Sequence, residues 1–478
     1  MNFPATGETP GTKDKPGSLI YRFVRLFTTI YPGEAAKALL LFSNVFFLLF
    51  AYYIIKPVRD ALILTGQSPE IKSYMGATQA ILLIFVVKAF SKIASKVARH
   101  LLITWVTLFF ISNLILFYFL DLAGAPVSIM GIVFFVWIGI YNLLVPAQFW
   151  GFANDLYTDE AGKRLFPLIA FGATLGALAG SKVSSWLWKP LGAYKMMLVT
   201  AAVLGLCIVL AIFIHKREIR KLTDKAGQVT PEMEAKRKIQ EQPLKAGGGF
   251  RLVFKSRYLL YIAIVIVLYN FINHTGEYIF GKAVTRVAEK TVQSTATGAV
   301  EAKQLEHLKE IYIGQIFSDY QFLTNLAAMI IQLFLVSRIF KWVGVAGALL
   351  IYPFFVLGGY GLITLGASLV AIKWVKVGEN GTDYSLMNTT KQALYLITSR
   401  EEKYKAKAAI DTFFVRGGDM TAAFTVFIGV NFLAFKALEN YAVINVVAIL
   451  AWISLTFLII REYKKIKAKS ANGQTEGS

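Results

Sequence analysis

Apolar runs of about 20 residues recur along the whole chain, separated by short polar or charged segments. Because a helix of about 20 apolar residues crosses the hydrocarbon core of a bilayer, each run predicts one membrane span. Six runs fall in the first half of the chain, at residues 36–55, 74–90, 101–120, 127–148, 165–187 and 196–214. Six more fall in the second half, at residues 259–280, 316–337, 343–362, 365–387, 412–435 and 442–460. The pattern predicts an all-α integral membrane protein with about twelve transmembrane helices in two six-helix halves.

A polar connector separates the two groups of runs. It contains QVTPEMEAKRKIQEQPLKAGGG, in which we expect a short amphipathic helix followed by flexible glycines. Six helices, a basic linker and six more helices is the arrangement of major-facilitator transporters, whose halves hold the substrate between them. We therefore predict a major-facilitator-like fold. Its predicted parts are an N-terminal segment at 1–34, a first half at 35–214, a linker at 215–257, a second half at 258–461 and a tail at 462–478.

The composition agrees with this prediction and excludes a soluble protein. The chain is 56% hydrophobic and 17% charged, whereas soluble proteins are about a quarter charged. The net charge of +21 comes from basic residues on alternate loops, and the positive-inside rule explains such a bias without nucleic acid. We expect both termini to be cytoplasmic and the spans to lie in a bacterial inner membrane, with lipid and not nucleic acid around them. The charged loop at 281–313 is expected on the outer side.

Motifs of enzymes and metal sites are missing from the sequence. It has no GxxxxGK[ST] phosphate loop, no HExxH zinc motif and no GxSxG motif in a strand–helix setting. The single cysteine, Cys207, lies in an apolar run and has no partner for a disulfide within the chain. We therefore predict a protein that is not an enzyme and has no cofactor or metal, and we expect a monomer.

Charged residues inside the predicted spans are the candidates for function, because a central Lys, Arg or Asp costs about 2.5–3.5 kcal/mol to insert. The first span ends in YYIIKPVRDALILTG, where we expect Pro57 to break the helix. Lys56 and Arg59 are then either a cation pair for an anionic substrate, with Asp60 holding Arg59, or interfacial side chains that snorkel. Lys88 either faces a cavity or snorkels toward the cytoplasmic surface.

Glycines 172, 176 and 180 recur every four residues in the fifth span. This spacing favours the close approach of a neighbouring helix, so we predict a packing role for them.

Two spans of the second half carry polar faces. In LYNFINHTGEYIFGKAV, the carboxylate of Glu277 is either a coupling group or part of a helix end near the outer surface. The residues that share its helical face are Asn270, Asn273 and His274. The tenth span is the most charged of the twelve, so it must line water or protein rather than lipid. Its charged residues are Lys373, Lys376, Glu379, Asp383 and Lys391.

Three stretches carry a family resemblance. They are KPVRDALILTG in the first span, FWGFANDLYTDEAGKRLFPLIAFGA after the fourth, and DYSLMNTTKQALYLITSREEKYKAKAAID between the tenth and eleventh. Each resembles, in the same order, a motif of the ATP/ADP translocase family, the nucleotide transporters of plastids and intracellular bacteria. With compatible hydropathy elsewhere, the similarity extends over most of the chain. It implies a bacterial transporter that exchanges nucleotides, ATP against ADP in the best-known members, by alternating access.

The resemblance and the intramembrane charges together assign candidate sites. The residues expected to bind a nucleotide or another phosphorylated anion are Arg59, Lys88, Asn154, Lys391 and Arg416. The residues expected to act as gate or coupling groups are Asp60, Glu160, Lys163, Arg164, Glu277 and Asp419. In this scheme Glu160, Lys163 and Arg164 form a cytoplasmic network with the TSREEK loop.

The eleventh span departs from the family pattern. It reads VRGGDMT where the family has NPLGKSG, so Asp419 stands opposite an expected lysine and Arg416 is the nearest cation. The loss of one phosphate partner leaves open a transporter of the same fold for another phosphorylated or organic anion, with or without proton coupling. A membrane regulatory protein that no longer transports is the third alternative, which the retained intramembrane charges disfavour.

Overall fold

The computed structural model describes residues 34–94, 99–157, 159–224, 249–295, 302–399, 402–435 and 437–473. Within these ranges the regular structure is helical and includes no strand. The first four helices are α1 (Ala35–Gly66), α2 (Pro69–Ala94), α3 (Arg99–Leu122) and α4 (Val127–Leu156). The run Asp159–Asp224 is broken at Gly192, where φ is +68°. Its two limbs are α5 and α6.

The second half repeats this plan. A short helix, Gly249–Lys255, precedes α7 (Arg257–Thr295). The next helix, α8, consists of Ala302–Ile330, a π-helical turn at Ile331–Leu335 and the residues up to Gly344. At Gly344 φ is +67° and the helix is broken. The helix after this break is α9, which ends at Thr364. Three consecutive pieces make α10, namely Leu369–Thr382, the π-helical turn Asp383–Met387 and Asn388–Leu394. The last two helices are α11, which begins at Glu402–Ala406 and ends with Val415–Asn431, and α12 (Leu438–Gly473).

Twelve helices thus match the twelve predicted spans. Nine helical runs among the described residues are long and apolar enough to cross a membrane. Two of the nine, Arg164–Arg217 and Ala302–Thr364, contain the breaks at Gly192 and Gly344 and supply two crossings each. The remaining crossing is α10, whose internal charges lower its hydropathy. The predicted fold class is confirmed. The domain boundaries stay predictions, and the amphipathic helix expected in the linker falls within 225–248, outside the described residues.

The first helix differs from the prediction at Pro57. We expected a break there, but α1 continues through the proline to Gly66. A proline lacks the N–H that would bond to the carbonyl four residues earlier, and membrane helices tolerate this where neighbouring helices supply donors. Near the proline, α1 is also held against α5, where Ser184 Oγ donates to the Ile54 carbonyl, three residues before Pro57, at 3.2 Å. The charged residues that follow the proline therefore lie on a helix and not on an interfacial loop.

The segment 281–313 also differs from the prediction of a loop. The described part is helical, because α7 extends to Thr295 and α8 begins at Ala302. Charged residues of the two helices pair with each other, with Lys309 Nζ 2.9 Å from Glu289 Oε1. The last turns of α7 and the first turns of α8 are polar, so the apolar run of each span is shorter than its helix.

The glycine stripe of α5 packs directly against the backbone of α1. A Cβ atom added to Gly176 would lie 2.2 Å from the Phe46 carbonyl oxygen, and one added to Gly180 would lie 2.4 Å from that of Phe50. Gly172 meets the Phe42 carbonyl in the same way, at 2.8 Å. The predicted packing role is confirmed. It brings α5 close enough to α1 for the Ser184 hydrogen bond described above.

The two halves meet along α5 and α8. Ser184 and Ser318 Oγ atoms lie 2.9 Å apart, and Trp188 Nε1 donates to the same Ser318 Oγ at 2.8 Å. Gly314 of α8 leaves room for the Trp188 ring, since an added Cβ would lie 2.3 Å from it. A second meeting line joins α2 and α11, where the rings of Tyr74 and Phe427 are 6.0 Å apart. The contacts at Trp188 and Gly314 lie toward the end of the bundle that is remote from the chain termini.

The glycine stripe makes a direct stability prediction. Gly176→Ala should lower the free energy of unfolding by about 1–3 kcal/mol, because the new methyl group collides with backbone that has no room to move. Thermal unfolding in detergent, followed by tryptophan fluorescence, measures this. Gly205→Ala is the matched control, since an added Cβ there has nothing within 4 Å. Equal melting temperatures for the two variants would contradict the packing role.

Candidate functional site

Seven charged side chains gather where α1 and α2 face α7, α8 and α10, and we call them the central cluster. Its members are Lys56, Arg59, Asp60, Lys72, Glu277, Lys376 and Glu379. The first four belong to the first half of the chain and the last three to the second. Lys56 of the first half also donates to Gln321 Oε1 of the second half at 3.1 Å. The cluster therefore joins the two halves at the interface where major-facilitator transporters hold their substrates.

Asp60 organises the first-half side of the cluster. Its carboxylate is 1% exposed and accepts from Arg59 Nη2 at 2.9 and 3.0 Å, one contact to each oxygen. Lys72 of α2 forms an ion pair with it at 2.8 Å. The Arg59 guanidinium also lies 5.1 Å from the Phe135 ring centroid of α4. Because a buried carboxylate is stable only when it is paired, Asp60 fixes α1, α2 and the Arg59 side chain relative to one another.

A buried ion pair organises the second-half side. Lys376 and Glu379 lie 2.9 Å apart, three residues apart on α10, and both side chains are 1% exposed. Tyr360 of α9 donates its hydroxyl to Glu379 Oε2 at 3.1 Å. The prediction that the tenth span lines water or protein rather than lipid is confirmed for these two residues and for Asp383, all of which are buried.

Glu277 lies beside this pair and is only partly buried. Tyr320 of α8 and Asn380 of α10 donate to its Oε1 at 3.2 and 3.3 Å. Lys376 Nζ is 3.9 Å from the same oxygen. Asn273, one turn before Glu277, donates to Asn380 Oδ1 at 2.8 Å. The polar face of the seventh span is thus turned toward α8 and α10, and not toward the outer surface.

The cations predicted to neutralise phosphate occupy three separate ion pairs. Arg59 is held by Asp60, as described above. Lys391 Nζ is 3.7 Å from Asp383 Oδ1 and 4.6 Å from the Tyr269 ring centroid. Arg416 Nη1 is 3.0 Å from Asp419. The described contacts do not bring these three cations to one point.

Asp419 has a structural explanation in this chain. It is 3% exposed and pairs with Arg416 on its own helix and with His274 Nε2 of α7 at 3.2 Å. Gly418 beside it allows α11 to approach α7, since an added Cβ would lie 2.6 Å from the Val267 carbonyl oxygen. The residue that replaces the lysine of the family pattern therefore connects α11 to α7.

The remaining predicted residues lie near the end of the bundle that carries the termini. Asn154 is exposed on the last turn of α4. Arg164 pairs with Glu34 through two contacts of 2.8 and 2.9 Å. The side chains of Lys88, Glu160 and Lys163 lie outside the described part of the structure. The gate network that we expected between these residues and the TSREEK loop stays a prediction.

Several members of the cluster were missed or left unassigned by sequence reasoning. Lys72 lies only three residues beyond Pro69 and before the predicted start of the second span, so it resembled an ordinary surface lysine. Lys376 and Glu379 were noted as charges of the tenth span but received no role. Gln321 and Tyr320 are neutral and carry no signal in a hydropathy pattern.

The fold and the buried interface charges define a multi-pass membrane transporter of the major-facilitator type. Among solved structures, a point mutant of the nucleoside transporter NupG matches with a TM-score of 0.57 and 10% identity, covering 90% of this chain and 99% of that one. A POT family transporter in complex with 5-aminolevulinic acid matches with a TM-score of 0.55 and 15% identity, over 90% and 96% of the two chains. These similarities show the fold.

Sequence comparison identifies the family. The model of the TLC ATP/ADP transporter family matches residues 128–463, more than half of the chain, so the protein belongs to that family and is a transporter rather than an enzyme. ADP,ATP carrier protein 2 of Chlamydia trachomatis serovar D is 25% identical over 92% of this chain and 91% of its own length. ADP,ATP carrier protein 1 of Chlamydia pneumoniae is 22% identical over 85% and 86%. The family resemblance inferred from the sequence is confirmed.

The pairing of Asp60 makes a stability prediction. Asp60→Asn should cost about 3–5 kcal/mol of unfolding free energy, because it leaves two buried cations without their carboxylate. The measurement is thermal unfolding of the purified protein. Glu289→Gln is the control, since it removes a carboxylate from an exposed ion pair, which contributes less than about 1 kcal/mol. If Asp60→Asn were no more destabilising than the control, Asp60 would not have the organising role described here.

Proposed function

We propose that the protein exchanges or imports nucleotides across a bacterial inner membrane, with both termini in the cytoplasm. The observation that carries the proposal is the central cluster of buried charges at the interface of the two halves, in a family that is named for ATP/ADP transport. Curated relatives from Chlamydia are named ADP,ATP carrier proteins. A polyanion such as ATP or ADP requires cations at the interface of the two halves. These cations must also release the nucleotide on the other side of the membrane.

Alternating access is the mechanism that this architecture supports. The cross-half contacts at Ser184, Trp188 and Tyr74 lie in the middle or toward the remote end of the bundle. At the remote end itself, Lys282 of α7 lies 2.8 Å from Glu70 of α2. In this arrangement the halves are held together on the side away from the termini, and cargo enters from the side that carries them. Rocking the halves about the interface would reverse this access.

The position of Asp419 favours one alternative. Where the family pattern has a lysine, this chain has a carboxylate that already uses Arg416 and His274. A cargo with fewer negative charges than ATP, another phosphorylated or organic anion, would suit such a site. The fold and the alternating-access mechanism are the same under both proposals.

Uptake into proteoliposomes tests the cargo. Labelled ATP and ADP should accumulate, and accumulation should increase when the vesicles contain unlabelled ADP, because an exchanger needs a counter-substrate. NAD is the comparison nucleotide, and a run with and without a pH gradient separates exchange from proton-coupled import. If none of the three nucleotides is taken up under any of these conditions, the nucleotide assignment is wrong, whereas the fold and family are unaffected.

A disulfide across the two halves tests alternating access. In Ser184→Cys/Ser318→Cys the sulfur atoms would replace two oxygens 2.9 Å apart, a geometry that allows a bond of about 2.05 Å with small adjustment. Oxidation should stop transport by fixing α5 to α8, and reduction should restore it. The native Cys207 is buried on another helix, so it does not compete. The two single-cysteine variants are the controls, and transport that continues in the oxidised double variant would contradict the mechanism.

A further inference from the structure

We propose that Lys56 binds a phosphate group of the transported anion, and that this phosphate displaces Gln321 from the lysine. The inference rests on the proposed function, because it names the side chain of the central cluster that receives the cargo. Four observations carry it, namely the charge count of the cluster, the neutral partners of Lys56, the open space beside it and its position between the halves.

The central cluster has one more cation than it has carboxylates. Its four cations face three carboxylates, and two of those, Asp60 and Glu379, already pair at 3 Å or less with the other cations. Among the described residues, Lys56 has no carboxylate within the 4.0 Å of a salt bridge. A positive charge without a counterion inside a membrane protein is costly. An anion that comes to rest beside Lys56 would remove that cost.

The partners that Lys56 does have are neutral. Its Nζ donates to Gln321 Oε1 at 3.1 Å and lies 5.2 Å from the ring centroid of Tyr53 and 6.0 Å from that of Tyr384. The ammonium of Lys56 already makes a charge-assisted hydrogen bond to the amide oxygen, but a phosphate oxygen also carries a negative charge and adds the attraction between opposite charges. Phosphate therefore competes well against the amide oxygen. Arg59 differs, because a phosphate would have to share it with both oxygens of Asp60.

The space beside Lys56 is open. Tyr384 is 41% exposed, and yet its ring faces a side chain of the opposite half at 6.0 Å. Tyr384 thus contributes exposed surface close to the Lys56 ammonium. Lys56 is itself only partly buried. A ligand in the gap can reach the ammonium group, and the aromatic faces of Tyr53 and Tyr384 are available to its organic part.

The hydrogen bond between Lys56 and Gln321 connects the two halves, so its replacement by a phosphate contact affects how they are held together. Lys56 lies on α1 of the first half and Gln321 on α8 of the second. When phosphate takes the place of the Gln321 oxygen, one hydrogen bond between the halves is lost. Cargo binding and the release of a contact that resists rocking are then the same event.

Equilibrium binding of ATP to the purified full-length protein in detergent tests the inference. Lys56→Gln should weaken binding at least about tenfold, the effect of losing one charge-assisted hydrogen bond, whereas Lys56→Arg should retain most of it. Gln321→Leu should strengthen binding several-fold, because the competing acceptor is gone. A purely structural role for Gln321 would not produce a gain in affinity. Melting temperatures of all variants verify that they fold.

Lys182→Gln is the matched control. Lys182 is a second partly buried lysine that has no carboxylate within salt-bridge distance among the described residues, and it also contacts a ring of the opposite half, with Nζ 5.0 Å from the Phe322 centroid. Its substitution should leave ATP affinity unchanged. An equal loss in Lys56→Gln and Lys182→Gln would overturn the inference, because a general reduction in positive charge would then explain both.

Inorganic tripolyphosphate separates this inference from the proposed function. If the wild-type protein binds tripolyphosphate but not ATP, and Lys56→Gln loses that binding, the Lys56 site stands and the nucleotide assignment fails. If ATP binds the wild-type protein and Lys56→Gln equally, the Lys56 site fails and the nucleotide assignment stands. Binding of neither ligand to the wild-type protein overturns both. If Lys56→Gln does not fold, unchanged or weaker ATP affinity in Gln321→Leu overturns the inference.

Discussion

The structure depends on one physical constraint, which is that a charge inside a membrane protein needs a partner. Asp60 meets it with Arg59 and Lys72, and Lys376 meets it with Glu379. The Asp60–Lys72 pair links α1 to α2, and Glu379, whose cation lies on the same helix, accepts from Tyr360 of α9, so the buried charges also connect neighbouring helices. Removing one partner from such a pair costs several kcal/mol, while the pair itself adds little stability compared with an apolar contact. Charges of this kind are retained for what they do at the site and not for their contribution to folding.

The glycine stripe of α5 is what places the first-half charges beside the second half. Because α5 rests on the α1 backbone at Phe46 and Phe50, Ser184 reaches both the Ile54 carbonyl and Ser318 of α8. One residue therefore supports the α1 helix near its proline and joins it to the other half. Lys56 lies two residues beyond that carbonyl. A bulkier residue in the stripe would move α1, and with it the charges that follow the proline.

The sequence predicted the architecture well because membrane spans have a strong and local signal. Runs of apolar residues marked all twelve helices, and the spacing of glycines marked one of the tightest packing lines. The failures share a physical reason. The α1 helix continues through Pro57, where it packs against α5 and accepts a hydrogen bond from Ser184 at the Ile54 carbonyl, and no local pattern shows such a contact. The helix ends at 281–313 pass beyond the apolar zone, where hydropathy no longer distinguishes a helix from a loop.

The site was less predictable than the fold. Intramembrane charge identified Asp60 and Glu277, but which cation is paired and which is not depends on contacts between helices far apart in sequence. One of the two interpretations of the first span had Asp60 holding Arg59, and the structure pairs them. For Arg416 the sequence indicated no partner, and the structure pairs it with Asp419 on the same helix. Gln321, whose amide accepts from Lys56, is visible only once α1 and α8 are in place.

The way the charges are paired suits a protein whose halves must separate. The ion pairs of Asp60 lie within the first half, and those of Lys376, Asp383 and Asp419 lie within the second. The contacts described across the interface at Ser184, Trp188 and Lys56 are hydrogen bonds to neutral acceptors instead. Parting the halves then breaks hydrogen bonds of about 1 kcal/mol each between the neutral groups and of about 1.5–3 kcal/mol at the Lys56 ammonium, and the carboxylates of these ion pairs keep their cations.

The one ion pair described across the interface joins Glu70 to Lys282, and it lies where water is accessible. Glu70 and Lys282 are each 16% exposed and line an open cleft of about 520 Å³ at the remote end. Water can reach both groups there, so their separation does not leave a charge in an apolar environment. Lys282 Nζ also donates to the hydroxyl of Tyr278, on the same helix, at 2.7 Å. The lysine keeps this partner when Glu70 moves away. An ion pair thus connects the halves, among those described, where solvent can replace the missing partner.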